Sequence, residues 1–185
     1  ELILKKKMIK KVKENLNMKK FDHSNTRPVG VVKEDNVKET TQFLNHILAN
    51  EYALFTKTLN YHWTVTGPRF KSLHTFLEGH YESILAMMDG LAERVRVLGE
   101  TPVGTVKEMK SVMDIDEVSG KELNANEMLA DLYSTHMNIQ ESIKEFIRGD
   151  KSEEIFESDP GTEDHLVGVL QKHEMMSWMI KSHLD

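Results

Sequence analysis

Residues Ser72–Leu98 read SLHTFLEGHYESILAMMDGLAERVRVL, and the fold is decided here. Leu77, Tyr81, Ile84, Met88, Leu91 and Val95 recur at steps of three or four, the spacing of one apolar helix face. The pattern predicts a helix over residues 72–98, closed by Gly99 and Pro102. Its other side is unusual. At about 100° per residue, His74, Glu78, Glu82, Asp89 and Glu93 fall within an arc of about 100°. No Lys or Arg stands between His74 and Glu93. Like charges at i,i+4 cost a helix roughly 0.2–0.5 kcal/mol, and Glu78–Glu82 and Asp89–Glu93 are two such pairs. The stripe is either an acidic solvated face or one compensated by a positive ion.

Working outward, Phe43, Ile47, Ala53, Leu54 and Leu59 place a helix over about residues 37–65, stopped by Thr66-Gly67-Pro68. Residues 99–124 form a long connection of little apolar content, in which Thr105-Val-Lys-Glu108 reads as the capping box of a short helix. A third long helix spans about residues 126–147, with Met128, Leu132, Ile139, Ile143 and Phe146 inward and Gly149 as its stop. A fourth follows Asp159-Pro160-Gly161, with Thr162 as the expected cap and Glu163 and Asp164 in the first turn. A short link, a long crossover and a medium link give an all-α, ferritin-like four-helix bundle. The expected division is a tail and linker over 1–35 and one domain over 36–185.

Composition narrows the chemistry. The 185 residues contain no cysteine, which excludes a disulfide scaffold, a thiolate metal site and a cysteine nucleophile. Metal ligands must come from nine histidines and thirty carboxylates. No apolar run approaches the ~18 residues that cross a bilayer. The lysine-rich start lacks a following apolar segment, so it does not read as a cleavable leader, and the expected location is the cytoplasm. Met8 and Met18 both stand as candidate starts.

The net charge of −6 is unevenly spread. Lys5, Lys6, Lys7, Lys10, Lys11, Lys13, Lys19 and Lys20 against Glu1 and Glu14 give residues 1–20 a charge of +6, leaving −12 on the rest. Such an arm suits a polyanion, with DNA the first candidate. It also suits a solubilising extension. With Leu4, Met8, Ile9, Val12 and Leu16 on one face, it further suits a basic amphipathic helix.

His62, at the end of the first predicted helix, can approach His74 across the Gly67 turn. Two imidazoles with carboxylates and open positions suit Fe(II) or another borderline divalent ion, zinc included. His74 and Asp89 lie fifteen residues apart on one helix, about 22 Å at 1.5 Å per residue. One ion cannot bridge them within a chain. If all belong to one site, two chains must bring their second helices together antiparallel, the histidines from one and Asp89 with Glu93 from the other. A conventional bundle-centred di-iron site is disfavoured, because no histidine has an acidic residue three positions before it.

The run His62-Trp63…Gly67…Phe70…Leu73-His74…Glu78…Tyr81…Asp89…Ala92-Glu93-Arg94…Leu98-Gly99…Pro102…Gly104-Thr105 resembles the Dps family, the prokaryotic mini-ferritins. Asp159-x-x-Thr162-x-Asp164 and Trp178-Met179 resemble its fourth helix. The resemblance covers residues 36–185. It implies a hollow dodecamer with ferroxidase sites at two-fold interfaces, oxidising Fe(II) with hydrogen peroxide and storing ferric mineral. It makes His62 and His74 iron ligands from one subunit and Asp89 and Glu93 ligands from its partner. Glu78 becomes a ligand or hydrogen-bond partner for a second iron or its water, and Trp63 an electron donor or trap. Acidic residues near Asp159 and Asp164 line iron-entry pores in some members. Non-specific DNA binding through the basic tail, with nucleoid association, is compatible with this. The alternatives are a mainly DNA-compacting protein and a divalent-metal shell without redox role. His23, His46, His80, His136, His165, His173 and His183 are read as core or surface residues.

Overall fold

The computed structural model describes residues 34–184, so the lysine arm and His23 lie outside the described residues. Four long helices make the bundle: α1 (Glu34–Thr64), α2 (Phe70–Val97), α4 (Ala125–Arg148) and α6 (Pro160–Leu184). Two short ones, α3 (Val106–Val112) and α5 (Ser152–Ser158), sit in the connections, with a 3-10 turn at Gly120–Glu122. The α1–α2 hairpin and the α4–α6 hairpin pack on each other, chiefly through α1 and α4. Among the described residues there is no strand. The expected all-α bundle with one long crossover is therefore the observed one.

Each boundary has a local cause. After α1 the chain turns at Gly67, whose φ of +95° belongs to glycine, and Phe70 N–H bonds the Gly67 carbonyl at 3.0 Å. α2 closes with Gly99 at φ +91°, its N–H on the Arg96 carbonyl while Glu100 N–H reaches the Val95 carbonyl, a Schellman ending. The Thr105–Glu108 capping box forms as read from the sequence. Asn124 and Glu127 make a second box that starts α4. α6 departs from expectation. Its cap is Asp159, which accepts the Thr162 N–H at 3.1 Å, and Pro160 takes the first helical position, where its missing N–H costs nothing. Thr162 is instead buried inside the first turn.

The apolar stripes are largely as read. Ile47, Ala53 and Leu54, Leu77, Ile84, Leu91 and Val95, and Met128, Leu132, Ile139 and Ile143 are buried, whereas Phe43, Leu59, Tyr81, Met88 and Phe146 are only partly covered. Phe43 and Phe146 stack at 3.9 Å across the bundle end. The crossover, poor in apolar residues, is tied down by polar side chains of α1. Asn45, Asn50 and Asn60 accept the backbone N–H groups of Val103, Asp114 and Gly120 at 2.9, 3.0 and 2.7 Å.

Candidate metal centre

α1 delivers His62 in its last turn and α2 delivers His74 in its second, so the tight turn at Gly67 sets the two side by side. Their rings stack with centroids 3.7 Å apart and planes 19° from parallel. His62 Nδ1 lies 2.8 Å from the His74 carbonyl, and His74 Nδ1 lies 2.9 Å from the His62 carbonyl. A carbonyl oxygen can only accept, so both Nδ1 atoms carry a proton, and in the neutral ring that leaves Nε2 as the bare lone pair. This is the tautomer in which imidazole binds a metal, oriented by its other nitrogen. Tyr81 meets His62 edge-on at 5.3 Å, and Phe70 flanks His74 at 5.1 Å. Desolvation, then the charges of Glu78 and Glu82, hold the Tyr81 hydroxyl above the usual phenol range.

Glu78 stands one turn beyond His74, exposed on the same helix. Asp89 and Glu93 are exposed further along α2, and the chain does not bring them to the histidines. Among the described residues, Glu78, Glu82, Asp89 and Glu93 make no ion pair, and no three His, Asp or Glu side chains are gathered as one ligand set. Trp63, beside His62 in sequence, is 67% exposed. One chain thus supplies a preset imidazole pair and, separately, an uncompensated acidic helix face.

Asp159 belongs to another arrangement. It is only 3% exposed and pairs with Arg94, whose Nε also donates to Thr162 Oγ1 at 2.8 Å. It therefore ties the end of α2 to the start of α6. Asp164 is exposed.

Sequence reasoning passed over a second polar group, because its members sit on apolar stripes. Glu51 on α1, His80 on α2, His136 on α4 and His173 on α6 are all buried within the bundle. His173 Nε2 bonds Glu51 Oε1, and His173 Nδ1 lies 2.8 Å from His136 Nδ1. Burial, then the neighbouring His183, pushes His80 down to about 4; burial, then His173 and His80, holds His136 well below the ordinary histidine value. The available signal was positional: Glu51 lies between Ile47 and Leu54, and His136 between Leu132 and Ile139, where an apolar residue is expected.

Comparison with known proteins agrees with this architecture. A family model described as a ferritin-like domain matches residues 41–185. General stress protein 20U of Bacillus subtilis is 32% identical over 80% of this chain and 98% of its own length. DNA protection during starvation protein 2 of Bacillus anthracis is 31% identical over 80% of this chain and 98% of its own. The crystal structure of Dps from Staphylococcus aureus superposes with a TM-score of 0.72 at 31% identity, covering 80% of this chain and 96% of that one. With a bundle of this connectivity, a paired His62–His74 at its first turn and relatives at this level, the chain belongs to the Dps family of ferritin-like proteins.

Proposed function

We propose that the protein stores and detoxifies iron, oxidising Fe(II) with hydrogen peroxide at sites shared by two subunits and holding ferric mineral inside a homo-oligomeric shell, a dodecamer by family resemblance. The observation that carries this reading is the His62–His74 pair, whose Nε2 lone pairs are exposed to ligand by two backbone hydrogen bonds. In the proposed site these nitrogens bind Fe(II) from one subunit, and Asp89 with Glu93 of a second copy complete the shell. Glu78 serves the same ion's neighbour or its water. Imidazole, a borderline ligand, accommodates Fe(II), while the carboxylates stabilise the Fe(III) product. Two Fe(II) give one electron each to one hydrogen peroxide, which leaves as two waters after taking up two protons. A reaction completed pairwise at a fixed site releases no hydroxyl radical. Trp63 stands ready to supply or trap a stray electron.

The test is anaerobic addition of Fe(II) to protein stripped of metal, injection of hydrogen peroxide, and optical detection of ferric product. Glu93→Ala, His62→Ala and Asp89→Ala are each expected to slow the reaction at least tenfold; wild-type rates in any of them overturn the shared site. Rates no better than buffer in an assembled wild type leave the site as a divalent-metal shell without redox role.

A second function is supported by the charge of +6 on residues 1–20. We propose that these arms bind DNA without sequence preference, their number on one assembly adding avidity. A retardation assay is expected to show binding at low salt, weakening at high salt and lost when residues 1–20 are removed. Binding that survives the truncation rules out the arms.

A further inference from the structure

We infer that each bundle holds a second, separate divalent-metal site at its centre, formed by His136, His173 and His80 with Glu51 behind them. The four residues come one from each long helix, and none is more than 5% exposed. Their hydrogen bonds run one way. Glu51 as a carboxylate accepts from His173 Nε2–H, so His173 Nδ1 is bare and accepts from His136 Nδ1–H at 2.8 Å. There the chain stops. His136 Nε2, Glu51 Oε2 and both ring nitrogens of His80 are buried with no protein partner. Four such atoms, buried between the long helices while the neighbouring Gln140 and Ser177 are satisfied by each other and by the His173 carbonyl, call for an occupant.

The donor balance says what kind. Glu51 Oε2, His136 Nε2 and one His80 nitrogen offer lone pairs, against a single spare N–H on His80. Among the described residues Glu51 has no Lys or Arg partner, its one ion pair being with His173. Excess lone pairs beside a buried carboxylate favour a cation. The Glu51–His173 contact is the carboxylate–imidazole arrangement that orients a metal-binding histidine and makes its other nitrogen more basic. That balance describes the metal-free bundle; when an ion binds, His136 moves its proton from Nδ1 to Nε2, and the two Nδ1 atoms, 2.8 Å apart, need open by only about 0.5 Å to reach it at the usual 2.0–2.1 Å. No three side chains converge yet. His80, its ring centroid 6.2 Å from that of His136, has no hydrogen bond to give up in turning towards the pair.

A groove of about 840 Å³ between α2 and α6, kept open at Gly79 and Gly168, is lined by His80 together with Met175 and Met179, so the outer edge of the His80 ring borders it. A set of three imidazoles prefers zinc, cobalt, nickel or copper over the carboxylate-bound iron of di-iron bundles. The inference is independent of the shared site proposed above.

Cobalt(II) is the probe, because its visible absorption reports imidazole coordination. In the full-length assembly carrying His74→Ala and Asp89→Ala, which disables the shared site, one Co(II) per chain is expected to bind with a visible band. Adding His80→Phe, which keeps a ring against Phe76 and breaks no hydrogen bond, is expected to weaken binding at least tenfold with assembly size unchanged. Adding His136→Gln is expected to abolish it. No bound Co(II) in the parent double variant, or binding that His80→Phe leaves unaltered, overturns the site. Should His136→Gln fail to assemble, His80→Phe decides alone.

Discussion

His80 shows what one buried imidazole does to stability. Its ordinary value is 6.5 and burial lowers it to about 4, so an unfolded chain takes up a proton near pH 6.5 that the folded chain refuses until about pH 4. The folded-state value is depressed and the group is a base, so its stabilisation is complete above pH 6.5 and is lost as pH falls towards 4. Between pH 7 and pH 5 the loss from this residue is about 2 kcal/mol. Denaturant midpoints of metal-free protein at the two pH values, at fixed concentration, should differ less in His80→Phe than in wild type by that amount. An equal pH sensitivity in both would mean that His80 takes its proton in the folded state. His136, buried completely and shifted the same way, adds to the acid sensitivity of the wild type. At this scale the sequence was informative where residues form a pattern and silent where they meet in space. The His62–His74 pair was legible because a tight turn joins its two helices. The Glu51–His173 contact spans 122 residues, and nothing local marks it.

Among the elements, the crossover illustrates how an apolar-poor segment is held. Gly120 has no room for a side chain: a Cβ there would collide with Thr64 Oγ1 and press on Asn60 Oδ1, the atom that accepts the Gly120 N–H. Gly120→Ala must displace one of these, and is expected to cost about 1–3 kcal/mol. Gly168, in the middle of α6 with nothing near its missing Cβ, supplies the comparison. Gly168→Ala should be neutral or stabilising by up to about 1 kcal/mol, since alanine is the better helix former. Melting temperatures of the two variants order the effects. Equal shifts would show that the crossover gives way freely at Gly120. The four long helices were readable from periodicity and stop residues, to within a few residues at each end. The cap of α6 was misassigned because Asp159 and Thr162 are both capping residues by type; the stronger preference of Asp and the placement of Pro160 at the first helical position decide for Asp159. α5 was not anticipated, being a single short helix without a side-chain cap.

For the whole molecule, the decisive arithmetic is the separation of His74 from Asp89 along α2. If the site needs residues of two copies, two defective chains can repair one another. Co-expressed His74→Ala and Asp89→Ala subunits, pairing at random, should leave about a quarter of the sites intact. Peroxide-driven oxidation near a quarter of the wild-type rate is the expected result, and a mixture no faster than either variant alone would place all ligands within one chain. The separation of His74 from Asp89 was visible in the sequence because helix rise alone sets it. The size of the assembly was not, because it depends on surfaces whose partners are other copies. The same separation has a consequence in time. On this reading a newly made chain is chemically idle: it carries half of each of two sites and finishes neither. Redox competence is second order in subunit concentration at the outset. Oxidation therefore begins only as the shell forms, and insoluble product first appears where an enclosure is ready to receive it.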